Sequence, residues 1–194
     1  SGQQHGMVPL DKAGQVIRPA KLWCDTETTE QCRTLTDRLG GDKKVVDETG
    51  NRMAEGFTAP KVLWLKENEP HHYDQLDTVL LPHDYINFWF TGEKKTDFGD
   101  ASGTAYFDVT DRQWSRAVLN AIDDTGKLSG CLPELIAAHE PCGTVRPEVA
   151  DLLGLPQGVL VSSGGGDNMM AAIGTGNIEP GVVTASLGTS GTIY

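Results

Sequence analysis

The stretch VSSGGGDNMMAAIGTGN, residues 161–177, decides how the rest of the chain is read. Three consecutive glycines stand directly before Asp167 and Asn168, and a small-residue, helix-like segment follows. Glycine in series is costly in conformational entropy, so a fold keeps it where backbone turns sharply or comes close to something else. An acid leaving such a loop at the start of a helix is well placed to meet a ligand. The same acid equally suits a helix N-cap. The preceding VLVSS (159–163) is a β-branched run, so the segment predicts strand, glycine loop and helix in succession.

Outward from this point, strand-like and helix-like segments alternate along 194 residues without internal repeats or low-complexity stretches, the pattern of an α/β protein. Residues 7–23 read as a short hairpin, with MVPLD and QVIRPAKLW as arms and DKAG between them as the turn. TETTEQCRTLTDRLGG predicts a helix from Thr26 to Leu39, capped by Thr26 or Thr28 and ended by Gly40 and Gly41. Residues 58–70 set Val62, Leu63 and Leu65 on a buried face, with Pro60 in the first turn and Pro70 as terminator. An apolar run at 79–81 leads into a helix carrying Tyr85, Ile86, Trp89 and Phe90, closed by Gly92. DRQWSRAVLNAID (111–123) predicts a helix with Trp114, Val118 and Leu119 inward. RPEVADLLGLPQG (146–158) predicts a shorter one ended by Gly154. VVTASLGTSGTIY (182–194) reads as strand, turn and strand.

Bulk properties remove several classes of function. Apolar residues at 38% together with 23 glycines make up roughly half of the chain, ordinary for a globular protein of one domain or a domain and part of another. A net charge of −11 leaves no basic footprint for a nucleic-acid backbone, although glycine loops and Mg²⁺ can still hold a nucleotide. No apolar run reaches membrane-spanning length, and no charged-then-apolar signal segment opens the chain. Cys24, Cys32, Cys131 and Cys142 show no C-x-x-C spacing and read as reduced thiols of a cytoplasmic protein rather than zinc ligands. Both ends run straight into strand-like sequence, so the chain is expected to be a piece of a longer protein.

Common chemical motifs fail one by one. A dinucleotide fingerprint starting at Gly164 needs glycine where Met169 stands, and no glycine-rich segment ends in Gly-Lys-Ser/Thr. A nucleophile elbow starting at Gly188 fails at Thr192. His71 and His72 lack the i, i+4 spacing of a metal pair and read as surface. Four constellations remain, in order: SGQQHG (1–6), LWCDTET (22–28), GGGDN (164–168) and SLGTSG (186–191). Taken with GFTAPKVLWLKEN (56–68), and with LLPHDYINFWFTGE (80–93) followed by TDFGDASGT (96–104), this ordered set resembles the FGGY family of carbohydrate kinases. Within that family it is most similar to the xylulokinases, and the similarity covers essentially the whole chain.

The resemblance implies an α/β, ribonuclease-H-like fold of the actin and sugar-kinase type. Residues 1–175 would form most of the first domain and 176–194 the start of the second, with sugar on the first and ATP mainly on the second. It also implies that the family's N-terminal hairpin, with its Asp-x-Gly-Thr phosphate loop, and nearly all of the second domain lie outside this sequence. The implied activity is ATP-dependent phosphorylation of D-xylulose on its C5 hydroxyl. Kinases of ribulose, gluconate, glycerol or a related polyol, and a sugar or nucleotide sensor without turnover, are the alternatives. A homodimer is expected, with no membrane or nucleic-acid partner.

By the same resemblance, Asp167 matches the catalytic base. Phosphoryl transfer needs a carboxylate that accepts the hydroxyl proton while the oxygen attacks in line. Asn168 offers a donor and an acceptor to the sugar, and Gln4 and His5 match the substrate-binding pair of the first constellation. Trp23 and Asp25 match the sugar loop, an indole for an apolar sugar face and a carboxylate for its hydroxyls. These two residues alone suit a core tryptophan and an N-cap nearly as well. Cys24 and Glu27 depart from the Asn and Arg common at those places in the family. Gly188, Thr189 and Ser190 match a second phosphate-contacting turn that would hold ATP. Mg²⁺ is expected to arrive with ATP, no metal ligand is assigned, and Asp97 and Asp100 are expected in turn and cap duties.

Overall fold

Glycine and proline punctuate the elements much as the sequence predicts. The computed structural model describes residues 1–187 and 191–194. After β1 (Val8–Leu10), α1 (Thr29–Leu39) ends on Gly40 in the left-handed region at φ 88°. Thr28, one of the two predicted caps, stands at the N-cap position, but its hydroxyl donates to the Glu55 carbonyl and makes no cap hydrogen bond. α2 (Asp42–Thr49) follows at once, then α3 (Thr58–Asn68) and α4 (Pro70–Gln75). Pro70 both stops α3 and stands at the first position of α4, where its missing N–H is harmless. β2 (Thr78–Leu80) leads into α5 (Pro82–Thr91), closed by Gly92 at φ 81°.

The second half begins with β3 (Lys95–Asp97), α6 (Phe98–Ala101), β4 (Phe107–Asp108) and β5 (Gln113–Trp114). α7 (Arg116–Ile122) is shorter than the predicted 111–123 helix. Trp114 pairs with Phe107 as a strand residue, and Ser115 caps the helix by accepting from the Val118 N–H. Then come β6 (Glu134–Ile136), β7 (Pro141–Thr144), α8 (Pro147–Leu153), β8 (Leu160–Ser162), α9 (Asp167–Gly174), β9 (Ala185–Leu187) and β10 (Gly191–Ile193).

The described strands pair in twos: β1 with β2, β4 with β5, β7 with β8 and β9 with β10 antiparallel, and β3 with β6 parallel. The predicted 7–23 hairpin is only partly formed. Asp11 accepts from Gly14 and makes the turn, but the second arm joins β1 only through the bridges Met7–Lys21 and Leu10–Val16. Pro9 and Pro19 cannot donate to a ladder on that edge, while the opposite edge of β1 pairs with β2, Val8 opposite Leu80.

The main core lies among α1, α3 and α7, where Leu35, Val62, Leu65, Val118 and Ile122 are all but inaccessible. A smaller cluster of Val145, Val149 and Ala150 seats α8. Among the described residues no helix is long and apolar enough to cross a membrane. Among the same residues the four cysteines are free, and Cys24 alone is exposed. Truncating a core leucine leaves a cavity. Leu65→Ala is therefore expected to cost about 2–5 kcal/mol in urea unfolding, while Leu152→Ala, 71% exposed, shifts the midpoint little.

Candidate active site

The glycine loop is pinned before it turns. The Asn87 amide on α5 donates to the Ser163 carbonyl at 2.8 Å, and the Ser163 hydroxyl donates to the Ala138 carbonyl at 3.0 Å. Gly164 then takes φ +79°, a conformation that L side chains rarely adopt. At Gly166 the reason is space. A Cβ there would lie 2.4 Å from the Gln4 amide nitrogen. The gap lets residues 1–6 lie flat against the loop. Gly2 and Gly166 form a parallel bridge, and the Asp167 N–H donates to the Gly2 carbonyl at 3.0 Å.

Between these two segments opens a cavity of about 320 Å³, lined by Gln3, Gln4, His5, Trp23, Asp167, Asn168 and Thr192. It thus gathers five of the residues singled out from sequence. Asp167 is the first residue of α9, whose N-cap is Gly166 without any side-chain cap. Its carboxylate is exposed at the cavity rather than engaged on the helix end. Asn168 Oδ1 accepts from the Thr192 hydroxyl at 3.2 Å, which leaves the amide NH₂ as a donor. A wider groove of about 510 Å³ runs along Val8, Val16, Tyr85 and Ile86, but its walls are mostly apolar and Asp167 is not among them.

His5 is held from several sides. Its backbone sits at φ 64°, and Nδ1 lies 2.7 Å from the Gly103 carbonyl. Burial pulls its pKa below the usual imidazole value, although the Gly103 carbonyl and nearby carboxylates oppose the shift. A carbonyl only accepts, so the neutral ring carries its proton on Nδ1 and keeps Nε2 as an acceptor. Gln4 Nε2 donates to Asp100 at 3.3 Å. Trp23 is 46% exposed, which excludes a core role.

Asp25 lies apart from the cavity lining. Lys21, 3% exposed, donates to Asp25 at 2.9 Å and Glu27 at 2.6 Å, and its ammonium stands 3.8 Å from the Trp64 ring centre. Burial works against the Asp25 charge. The Glu27 N–H and Lys21 outweigh it and hold the pKa below its ordinary value. Glu27 therefore has a structural partner: it and Asp25 together neutralise one buried lysine. Gly188, Thr189 and Ser190 lie outside the described residues.

Sequence reading missed Gln3 and Thr192, which line the cavity, and a buried acid–imidazole cluster behind it. Asp97 caps α6, accepting from Gly99 and Asp100 as expected. Asp100 does not serve as a cap. It is fully buried, 2.6 Å from His83 Nδ1, while His83 Nε2 lies 3.1 Å from Asp84 and 3.5 Å from Asp97. Burial alone would lower the His83 pKa, but the carboxylates of Asp100, Asp97 and Asp84 raise it to about 10. PHDY and TDFGD did carry the signal, one histidine and three acids in otherwise well-packed segments.

Helices packed on short strands, with a polar cavity where the glycine loop meets residues 1–6, are the features on which the chain can be compared with known proteins. Residues 1–174 match the FGGY family of carbohydrate kinases, N-terminal domain, and the chain belongs to that family. It is 48% identical to a xylulose kinase of Haemophilus influenzae over 194 residues, 100% of this chain and 39% of that protein. The crystal structure of a xyloylose kinase from Brucella ovis superposes with a TM-score of 0.89 at 38% identity, covering 99% of this chain and 38% of that one. The xylulose kinase from Rhodospirillum rubrum gives 0.91 at 27%, with 99% and 38% covered. The chain therefore spans about two fifths of the length of the relatives it matches.

The buried cluster carries a pH signature. A histidine whose folded pKa is raised from 6.5 to about 10 stabilises the fold fully below pH 6.5. That contribution is lost as pH rises through about 10. Urea midpoints are expected to fall between pH 7 and 10, and more shallowly in His83→Gln; equal slopes would contradict a charged His83.

Proposed function

We propose that the protein transfers the γ-phosphoryl group of ATP to the C5 hydroxyl of D-xylulose, giving D-xylulose 5-phosphate and ADP. The observation that carries this reading is the Asp167 carboxylate. It stands at the start of α9, free of capping duty, in one cavity with Gln4, His5, Trp23 and Asn168. The likeness to xylulose kinases along the whole chain supports the choice of sugar.

Asp167 accepts the hydroxyl proton as that oxygen attacks the γ-phosphorus in line, and no covalent enzyme intermediate is needed. The Asn168 amide and Gln4 hold sugar oxygens. His5 Nε2 accepts from a sugar hydroxyl, and the Trp23 indole covers an apolar face of the sugar. Gln3 and Thr192 complete the wall. Asp25 acts at one remove, by setting the loop that carries Trp23. Gly188, Thr189 and Ser190 are assigned to the nucleotide phosphates. Mg²⁺ accompanies ATP and offsets phosphate charge. Residues 1–175 are taken as the sugar-binding domain and 176–194 as the opening of the ATP-binding one.

Asp167→Asn in the full-length protein is expected to lower kcat about a thousandfold or more, with the sugar KM little changed. Activity within tenfold of the parent would remove Asp167 from the role of base.

A further inference from the structure

One buried charge near the cavity has no role in the reading above. Lys61, in the first turns of α3, has no accessible surface. Isolated charges are costly to bury, and where they persist they are usually paired with an opposite charge. The Lys61 ammonium instead donates to two backbone carbonyls, that of His5 at 3.2 Å and that of Gly56. Each carbonyl leads to a different lining residue, His5 itself and Trp23. His5 lines the cavity directly. Gly56 packs against the chain at Trp23, so closely that a Cβ would come within 3.0 Å of the Trp23 carbonyl.

The His5 carbonyl needs holding. His5 is one of the few described non-glycine residues with positive φ, a conformation that persists only where its surroundings over-determine it. Two donors meet its carbonyl, the Lys61 ammonium and the Thr58 hydroxyl, each at 3.2 Å. Both lone pairs are then filled. With the backbone fixed there, the ring can rest on the Gly103 carbonyl and against Phe57, 4.8 Å between ring centres. Gly103 has no Cβ to obstruct it; one would fall 2.3 Å from the ring.

We propose that Lys61 is a positioning residue for the sugar end of the cavity, its ammonium clamping the His5 carbonyl to the Gly56 carbonyl beside Trp23. It touches no substrate and acts through His5. Burial draws the Lys61 pKa down to about 8, opposed by Asp25, consistent with an amine surrounded by dipoles rather than by counter-charge. This inference rests on the proposed sugar-binding role of His5.

The test is a double-mutant cycle in the full-length protein, with Lys61→Met, His5→Ala and the pair. Lys61→Met is expected to raise the D-xylulose KM about tenfold while the ATP KM stays within about twofold. In the His5→Ala background the same change should alter the sugar KM less than about twofold. An equal loss in both backgrounds would overturn the clamp. If Lys61→Met does not fold, Thr58→Val removes the other donor at similar volume, and a smaller but equally His5-dependent loss is expected. A further readout needs no turnover: ¹⁵N spectra of the parent should show His5 protonated on Nδ1 and bare on Nε2. In Lys61→Met, or Thr58→Val, that signature should give way to a mixture of tautomers; an unchanged tautomer would overturn the proposal. A parent with this tautomer and no sugar phosphorylation would count against the kinase reading, not against the clamp.

Discussion

The contact between residues 1–6 and the glycine loop is the joint on which the site depends. It consists of little more than the Gly2–Gly166 bridge, the hydrogen bond from the Asp167 N–H to Gly2, and the space left by the missing Cβ of Gly166. It sets four of the residues that line the cavity. Asp167 and Asn168 leave the joint on one side, Gln4 and His5 on the other, and the cavity is the space between. The triple glycine therefore has two separate physical causes, a left-handed turn at Gly164 and a close approach at Gly166.

Behind the joint lies a set of buried polar and charged side chains. His83 lies within ion-pair distance of three aspartates, Asp100 receives the Gln4 amide, and Lys61 and Thr58 hold the His5 carbonyl. Polar groups in a low-dielectric interior demand full partnering, and a partnered network has few alternative geometries. The same property that makes these groups costly for stability makes them suited to holding a short, irregular segment in one conformation. Lys21 with Asp25 and Glu27 does the equivalent work for the Trp23 loop at the surface of the site.

Much of this was legible in the sequence, and the rest was hidden for identifiable reasons. Helix ends marked by glycine or proline, at Gly40, Gly92, Gly154 and Pro70, were visible because those residues act locally. The helix at 111–123 was overextended because Trp114 pairs with Phe107, a contact no local pattern reveals. The second arm of the 7–23 hairpin pairs only at isolated bridges because Pro9 and Pro19 bring no N–H to that edge, while β2 takes the other edge of β1. Asp167, Asn168, Gln4, His5 and Trp23 converge as expected. Asp25 lies outside the cavity lining, and its ion pair with Lys21 four residues earlier was not legible in any motif. The segments that hold Lys61 and the His83 cluster stood out in the sequence, but not that their charges are buried, because burial of a charge is a property of the fold.

The central claim is that one cavity, built on the Gly2–Gly166 joint, presents a ketopentose hydroxyl to Asp167. The most direct test is sugar-dependent ADP release by the full-length protein, with D-xylulose compared with ribulose, gluconate and glycerol at matched ATP. The account predicts the highest kcat/KM for D-xylulose. A preference for another polyol would contradict the substrate assignment and leave the base in place. ATP binding without ADP release on any of the four would contradict the catalytic reading itself.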